Sequence, residues 1–223
     1  PIESIKYYKG SHDLGFMVGD SFGQAFDLTG EQSYKDVVIN ASNSLITRFS
    51  PITGCIRSWD HNKDKWQNPV IIDNMMNLEM LSFVAKKTGK ESYMDMINAH
   101  AQTTLKQHFR PDNSCYHVVS YDTITGLPHA KNTHQGYADE SAWSRGQAWA
   151  LYGYTMMYRE TGKPEYLEQA RKVARFIKNH PNLPSDKVPY WDFDAPDIPN
   201  TPRDASAAAV MASALIEIGR AHV

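Results

Sequence analysis

The chain has 223 residues, a formal net charge of −2, 41% hydrophobic residues and two cysteines. That length implies one domain, perhaps two, with ample material for a core. The interspersed charges leave no electrostatic footprint for nucleic acid or an anionic membrane surface, and no apolar run approaches the ~20 residues that span a bilayer. Cys55 and Cys115 offer neither a disulfide framework nor metal-ligand spacing, so each reads as a small, half-buried apolar residue. No signal peptide is visible at Pro1. The first residue is not Met, and the expectation is a segment upstream, with the compartment open between cytoplasm and periplasm.

In chain order, residues 1–11 read as a lead-in, and Asp13–Phe26 as a helix with Asp13 as its cap. Gly15, Gly19 and Gly23 recur every four residues along one face of it. Glycine inside a helix costs up to about 1 kcal/mol, so such a stripe implies a neighbouring backbone packed very close, or a wall facing a ligand. Helices are expected over 31–49, 72–87, 91–109, 144–160, 164–179 and 204–218. A loop with Trp59 and Trp66 spans 50–68, and a second long loop, 111–141, contains one short strand, Tyr116–Tyr121. A third loop, 180–203, carries several prolines and the run Tyr190-Trp191-Asp192-Phe193.

A Thr-Gly pair followed by three residues and a Tyr occurs three times, at Thr29–Tyr34, Thr88–Tyr93 and Thr161–Tyr166. Each copy joins two helices by a short turn with glycine in the C-terminal cap conformation. Short turns at one end and long aromatic loops at the other describe a toroid of α-hairpins, each pair burying its apolar face against its neighbours. The expected fold class is all-α. Three and a half pairs would not close a ring, so the chain is expected to be a single but incomplete domain that exposes apolar helix faces and can self-associate through them.

The chemistry concentrates in His134–Trp149, where two tryptophans, an arginine, a histidine and two glutamines enter a helix. Trp143 and Trp149 are platforms for a ring-shaped ligand, and Arg145 presents a planar fork of donors suited to a carboxylate. A site for an acidic sugar follows; a capped helix start with aromatic core residues is the plainer alternative. Asp73 precedes Met76 and Met80 at helical spacing, which would desolvate its carboxyl and favour a proton donor; a first-turn Asp favourable to the helix dipole is the alternative. Asp13 is a second carboxylate or simply the cap. His117, in the short strand, and His134 and Gln135 suit hydrogen bonding to sugar hydroxyls, or brace their loops. Asp139 and Glu140 read as capping or surface groups. No metal cluster, phosphate loop, nucleotide fingerprint or serine-centred elbow is present, so no cofactor is expected.

Four stretches resemble the unsaturated glucuronyl hydrolases, glycoside hydrolase family 88: His12-Asp13-Leu14-Gly15-Phe16, Asp73-Asn74-Met75-Met76-Asn77-Leu78, Trp143-x-Arg145-Gly146-Gln147-Ala148-Trp149, and Arg203-Asp204 followed by Ala205-Ser206-Ala207-Ala208-Ala209. They occur in family order over nearly the whole chain. The resemblance implies an (α/α)6 barrel and a substrate bearing a 4,5-unsaturated uronic acid at its non-reducing end. It implies that Asp73 protonates C4 and helps water add at C5. It further implies that Asp13 is the assisting carboxylate, and that His117, His134, Gln135, Trp143, Arg145 and Trp149 recognise substrate. Family members are considerably longer than this chain. Competing readings are a non-catalytic binder of acidic carbohydrate on the same scaffold, an unsaturated rhamnogalacturonyl hydrolase, an α-toroid sugar isomerase, and a structural helical-repeat scaffold.

Overall fold

A computed structural model describes residues 2–220. The chain runs through a 3-10 helix (Ile2–Tyr7), a π-helix (Gly15–Gly23), α1 (Gln24–Thr29), α2 (Gln32–Ile46), β1 (Phe49–Ser50), β2 (Cys55–Ile56), β3 (Pro69–Ile71), α3 (Asn74–Thr88), α4 (Glu91–Gln107), β4 (Val118–Tyr121), β5 (Pro128–Asn132), α5 (Ser144–Thr161), α6 (Pro164–Asn179) and α7 (Ala205–Arg220). All long elements are helices, as expected. The lead-in carries the 3-10 helix, and the 13–26 helix is a π-helix continued by α1. The loops over 50–68 and 111–141 are more structured than their sequences imply. β1 and β2 pair antiparallel, Phe49 opposite Ile56 and Ser50 opposite Cys55. Strands of two residues have no period to read, and β5, Pro-His-Ala-Lys-Asn, has no apolar alternation.

The three Thr-Gly turns are built alike. Gly30, Gly89 and Gly162 have φ of 70°, 70° and 69°. Their N–H groups donate to the carbonyls of Phe26, Ala85 and Tyr158 at 2.7, 2.9 and 2.8 Å. A Cβ at any of the three would meet nothing within 4 Å. The glycine is therefore demanded by the left-handed backbone, which costs a residue with a Cβ about 1–2 kcal/mol, and not by space. Each threonine hydroxyl donates back one turn, Thr29 to Ala25, Thr88 to Val84 and Thr161 to Met157.

The described residues fall into two compact units. The first holds those up to Val70, with Asn74–Thr103 and Ser120–Ala130. Here the π-helix packs against α2 and α3. A Cβ at Gly15 would lie 2.5 Å from Cα of Asn77, and one at Gly19 3.2 Å from Cβ of Met80. The close-backbone reading of the glycine stripe thus holds for Gly15, whereas Gly23 would meet nothing within 4 Å. Asn77 Oδ1 accepts from the Phe16 N–H at 3.2 Å across the same contact. Leu14, Val18, Val38, Leu45, Leu78 and Leu81 fill the core, and Trp59 and Trp66 are buried, their rings edge to face.

The second unit holds Ile71–Asp73, Thr104–Val119 and the residues from Lys131 on. α5 packs against both α6 and α7. Leu151, Tyr154, Tyr166, Ala170, Val173 and Phe193 are its core. α7 buries Ala207, Met211 and Ala214, a stripe at helical spacing, and leaves Leu215 and Ile216 49% and 58% exposed. No described helix is long and apolar enough to cross a membrane.

Candidate active site

The second unit assembles most of the residues singled out by sequence. Asp73 stands immediately before α3 and is 8% exposed, in line with a desolvated carboxyl. Its Oδ2 lies 3.8 Å from Nε2 of His117, which precedes β4. The other ring nitrogen of His117 accepts from two backbone N–H groups, His134 at 3.0 Å and Gln135 at 3.1 Å. A nitrogen that accepts twice carries no proton, so the neutral ring holds its proton on Nε2, directed at Asp73. His134 and Gln135 thus reach His117 through their backbones, while both residues are exposed.

Trp143 is 4% exposed, and its ring lies 4.6 Å from that of His117. It is the floor on which His117 rests, and a sugar would find little of its face open; this corrects the reading of Trp143 as an open platform. Trp149 is half-buried. A Cβ at Gly146 would lie 2.9 Å from Cε3 of Trp143, which is why the run reads Arg-Gly-Gln: the indole occupies the place of a side chain. Arg145, 41% exposed, donates from Nε to Asp204 Oδ2 at 3.1 Å, with its guanidinium 5.5 Å from the Trp143 ring centroid.

Three side chains that hold this arrangement escaped the sequence reading. Gln147, wholly buried, accepts the Cys115 N–H through Oε1 at 2.9 Å and donates to the Cys115 carbonyl at 3.2 Å, pinning the segment that leads to His117. Asp192, wholly buried, accepts from the Tyr137 N–H at 2.9 Å and the Ser141 hydroxyl at 2.7 Å. Asp204 is the third. Gln147 and Asp204 lie in quoted motifs and Asp192 in an aromatic run, but their partners are 32 to 59 residues away. Asp139, read as a capping or surface group, braces its own loop by accepting from the Thr133 N–H at 2.8 Å and Asn132 Nδ2 at 3.0 Å.

Asp13 lies in the first unit. Its side chain does not cap the π-helix, which has Leu14 as its N-cap. It accepts from the Ser11 hydroxyl at 3.1 Å, and its Oδ1 lies 3.2 Å from His12 Nε2. His12 Nδ1 faces the Ser58 carbonyl at 2.9 Å and must donate to it, so a single proton serves the contact between Nε2 and Asp13. Burial holds the His12 pKa below its ordinary value, against the pull of the Asp13 charge.

Cys115 and Cys55 are free, and each is buried more completely than expected. Burial pushes both thiols up to about 12. Neither is a nucleophile. The folded state holds these protons more tightly than the unfolded chain, so the associated stability is complete below the thiols' ordinary pKa of 9.0 and is lost as pH rises from there towards about 12. Both thiols are expected to resist iodoacetamide at pH ~8 and to react fully in denaturant. Fast alkylation of the native chain, or melting that is flat above pH ~9, would contradict this. No group of three or more His, Cys, Asp or Glu among the described residues could hold a metal ion.

No protein-family model matches the chain. It is 52% identical to the unsaturated glucuronyl hydrolase of Formosa agariphila over 97% of its own length and 54% of that protein's. It is 33% identical to the unsaturated chondroitin disaccharide hydrolase of Streptococcus pyogenes serotype M1, over 93% of its length and 51% of that protein's. It superimposes on the crystal structure of an unsaturated glucuronyl hydrolase specific for heparin with a TM-score of 0.95 and 50% identity, covering 98% of this chain and 58% of that one. The chain therefore spans about half the length of the relatives it matches, and its fold class is that of the (α/α)6 enzymes, as the repeated helix pairs imply.

Proposed function

We propose that the chain is a member of the unsaturated glucuronyl hydrolases, to which it is similar over nearly its whole length, and that it hydrolyses oligosaccharides whose non-reducing end is a 4,5-unsaturated uronic acid. The observation that carries the reading is the buried Asp73 facing the Nε2 of a histidine whose other nitrogen is held by two backbone amides. Such a carboxyl is positioned and desolvated, which is what proton transfer to carbon requires.

Asp73 donates a proton to C4 of the vinyl ether. Positive charge then develops on C5 and the ring oxygen, and a nearby carboxylate stabilises it. Water adds at C5 as the Asp73 carboxylate takes its proton. The resulting hemiketal opens by breaking the bond between C5 and the ring oxygen, and the hemiacetal left at C1 expels the next sugar. No carboxylate attacks C1, so the usual acid–nucleophile pair of glycosidases is not needed. In this reading Asp13 is the second carboxylate and Arg145 meets the uronate carboxylate. Trp149 lies against the sugar ring, His117, His134 and Gln135 contact hydroxyls, and Trp143 supports His117.

The test is the ultraviolet absorbance of the conjugated double bond in unsaturated heparin, chondroitin, hyaluronan and rhamnogalacturonan disaccharides after adding the protein. Loss of absorbance with one of the first three is the expected result. Loss only with the rhamnogalacturonan product would reassign the substrate class. Binding without loss would leave a carbohydrate-binding protein in place of an enzyme.

A further inference from the structure

Asp204 divides its carboxylate between two tasks. Oδ1 accepts the Ala207 N–H at 2.8 Å and so caps the start of α7. Oδ2 accepts Nε of Arg145 at 3.1 Å. The carboxylate is nearly buried, its side chain 7% exposed, while Arg145 is 41% exposed. A cap needs one oxygen only, and the second is spent on an arginine at the first turn of another helix, α5.

The choice of Nε matters. A guanidinium offers five N–H donors in a fixed plane, and its two terminal nitrogens form the edge that grips a carboxylate with two parallel hydrogen bonds. Tethering Nε holds the plane of the group without using that edge. The Trp143 ring, 5.5 Å from the guanidinium carbon, lies against the same group. An arginine tethered at Nε against an aromatic ring has already given up much of the rotamer freedom that binding would otherwise remove.

We propose that Asp204 is a positioning residue for anion recognition: it holds Arg145 so that the outer edge of the guanidinium meets the carboxylate at C5 of the terminal uronic acid. The assignment rests on the hydrolase reading above. It gives Asp204 a role in substrate affinity and none in proton transfer.

Asp204→Asn separates the two tasks. Asparagine caps a helix as well as aspartate, so its carbonyl keeps the Ala207 bond while its NH2 group faces the Arg145 donor. KM for the unsaturated disaccharide is expected to rise roughly tenfold, with kcat within about twofold of wild type and an unchanged melting temperature. The methyl ester of the same disaccharide lacks the negative charge, and Asp204→Asn should not alter its KM. A purely structural role would weaken acid and ester alike, and that result overturns the assignment. Equal affinity of wild type and variant for the acid overturns it too. In an Arg145→Lys background, which removes the Nε tether, Asp204→Asn should add nothing further; an undiminished effect there overturns it as well. Should the asparagine variant fail to fold, Asp204→Ser keeps a capping oxygen and removes the tether, and the same comparisons apply. A wild-type protein that binds neither acid nor ester would remove the hydrolase reading, and this assignment with it. A wild type that prefers the acid, with a variant that does so equally, removes the positioning role alone.

Discussion

Asp73→Asn is expected to lower kcat on an unsaturated uronyl disaccharide by about 10²–10⁴-fold, the range that a positioned general acid supplies. KM should change little, because the amide fills the same volume and the loss lies in the transition state. The fold should not suffer. Asp73 is buried, and replacing a buried carboxylate by a neutral group of its own shape removes a desolvation cost. His117 keeps its proton on Nε2 whatever stands at position 73, since its other nitrogen is fixed by the His134 and Gln135 amides. The asparagine oxygen then faces Nε2 as Oδ2 does, at 3.8 Å and so beyond hydrogen-bonding range. Single-turnover loss of ultraviolet absorbance, read beside thermal melting, checks both halves. A folded variant with more than about a tenth of the wild-type rate would move the proton donor elsewhere.

How much of this was legible in the sequence depended on the range of each interaction. The Thr-Gly turns and their helices were readable because a left-handed glycine, a threonine hydroxyl bonded one turn back and an apolar stripe are local events that leave a local pattern. Asp73, His117 and Arg145 carry chemistry that their residue types announce, and the second unit brings all three together. What was illegible is long-range. Trp143 looks like a binding platform in sequence and is the buried support of His117, because only the fold puts those rings 4.6 Å apart. Gln147 reads as a polar residue near a site until it is seen bracketing both backbone groups of Cys115. The π-helix hid behind glycines at a spacing of four, a pattern equally consistent with an α-helix, and β1 and β2 are too short to show any period.

Asp192 illustrates the cost of such a hidden partner, and removing it is expected to produce the largest stability loss among the site's supports. Its two oxygens accept three hydrogen bonds: Tyr137 N–H and the Ser141 hydroxyl on Oδ2, and Asp194 N–H on Oδ1 at 2.9 Å. Together with the backbone bridge between Trp143 and Asp192, they dock the loop around 133–142 onto the 190–194 segment. Hydrogen bonds to a charged acceptor contribute about 1.5–3 kcal/mol each, and donors left buried without a partner cost a similar amount. Asp192→Ala should therefore destabilise the chain by about 3–5 kcal/mol, the range for breaking a buried network, or roughly 6–20 °C in melting temperature for a chain of this size. Asp192→Asn keeps one accepting oxygen and should fall between alanine and wild type. The damage should also reach the chemistry. The same loop carries the His134 and Gln135 amides that fix the tautomer of His117, so at a temperature where the alanine variant is still folded its turnover should drop while amide exchange at Gly136 and Tyr137 accelerates. An alanine variant that melts within about 2 °C of wild type would show that the loop is held by other contacts. One that loses stability but keeps full turnover would uncouple the loop from His117.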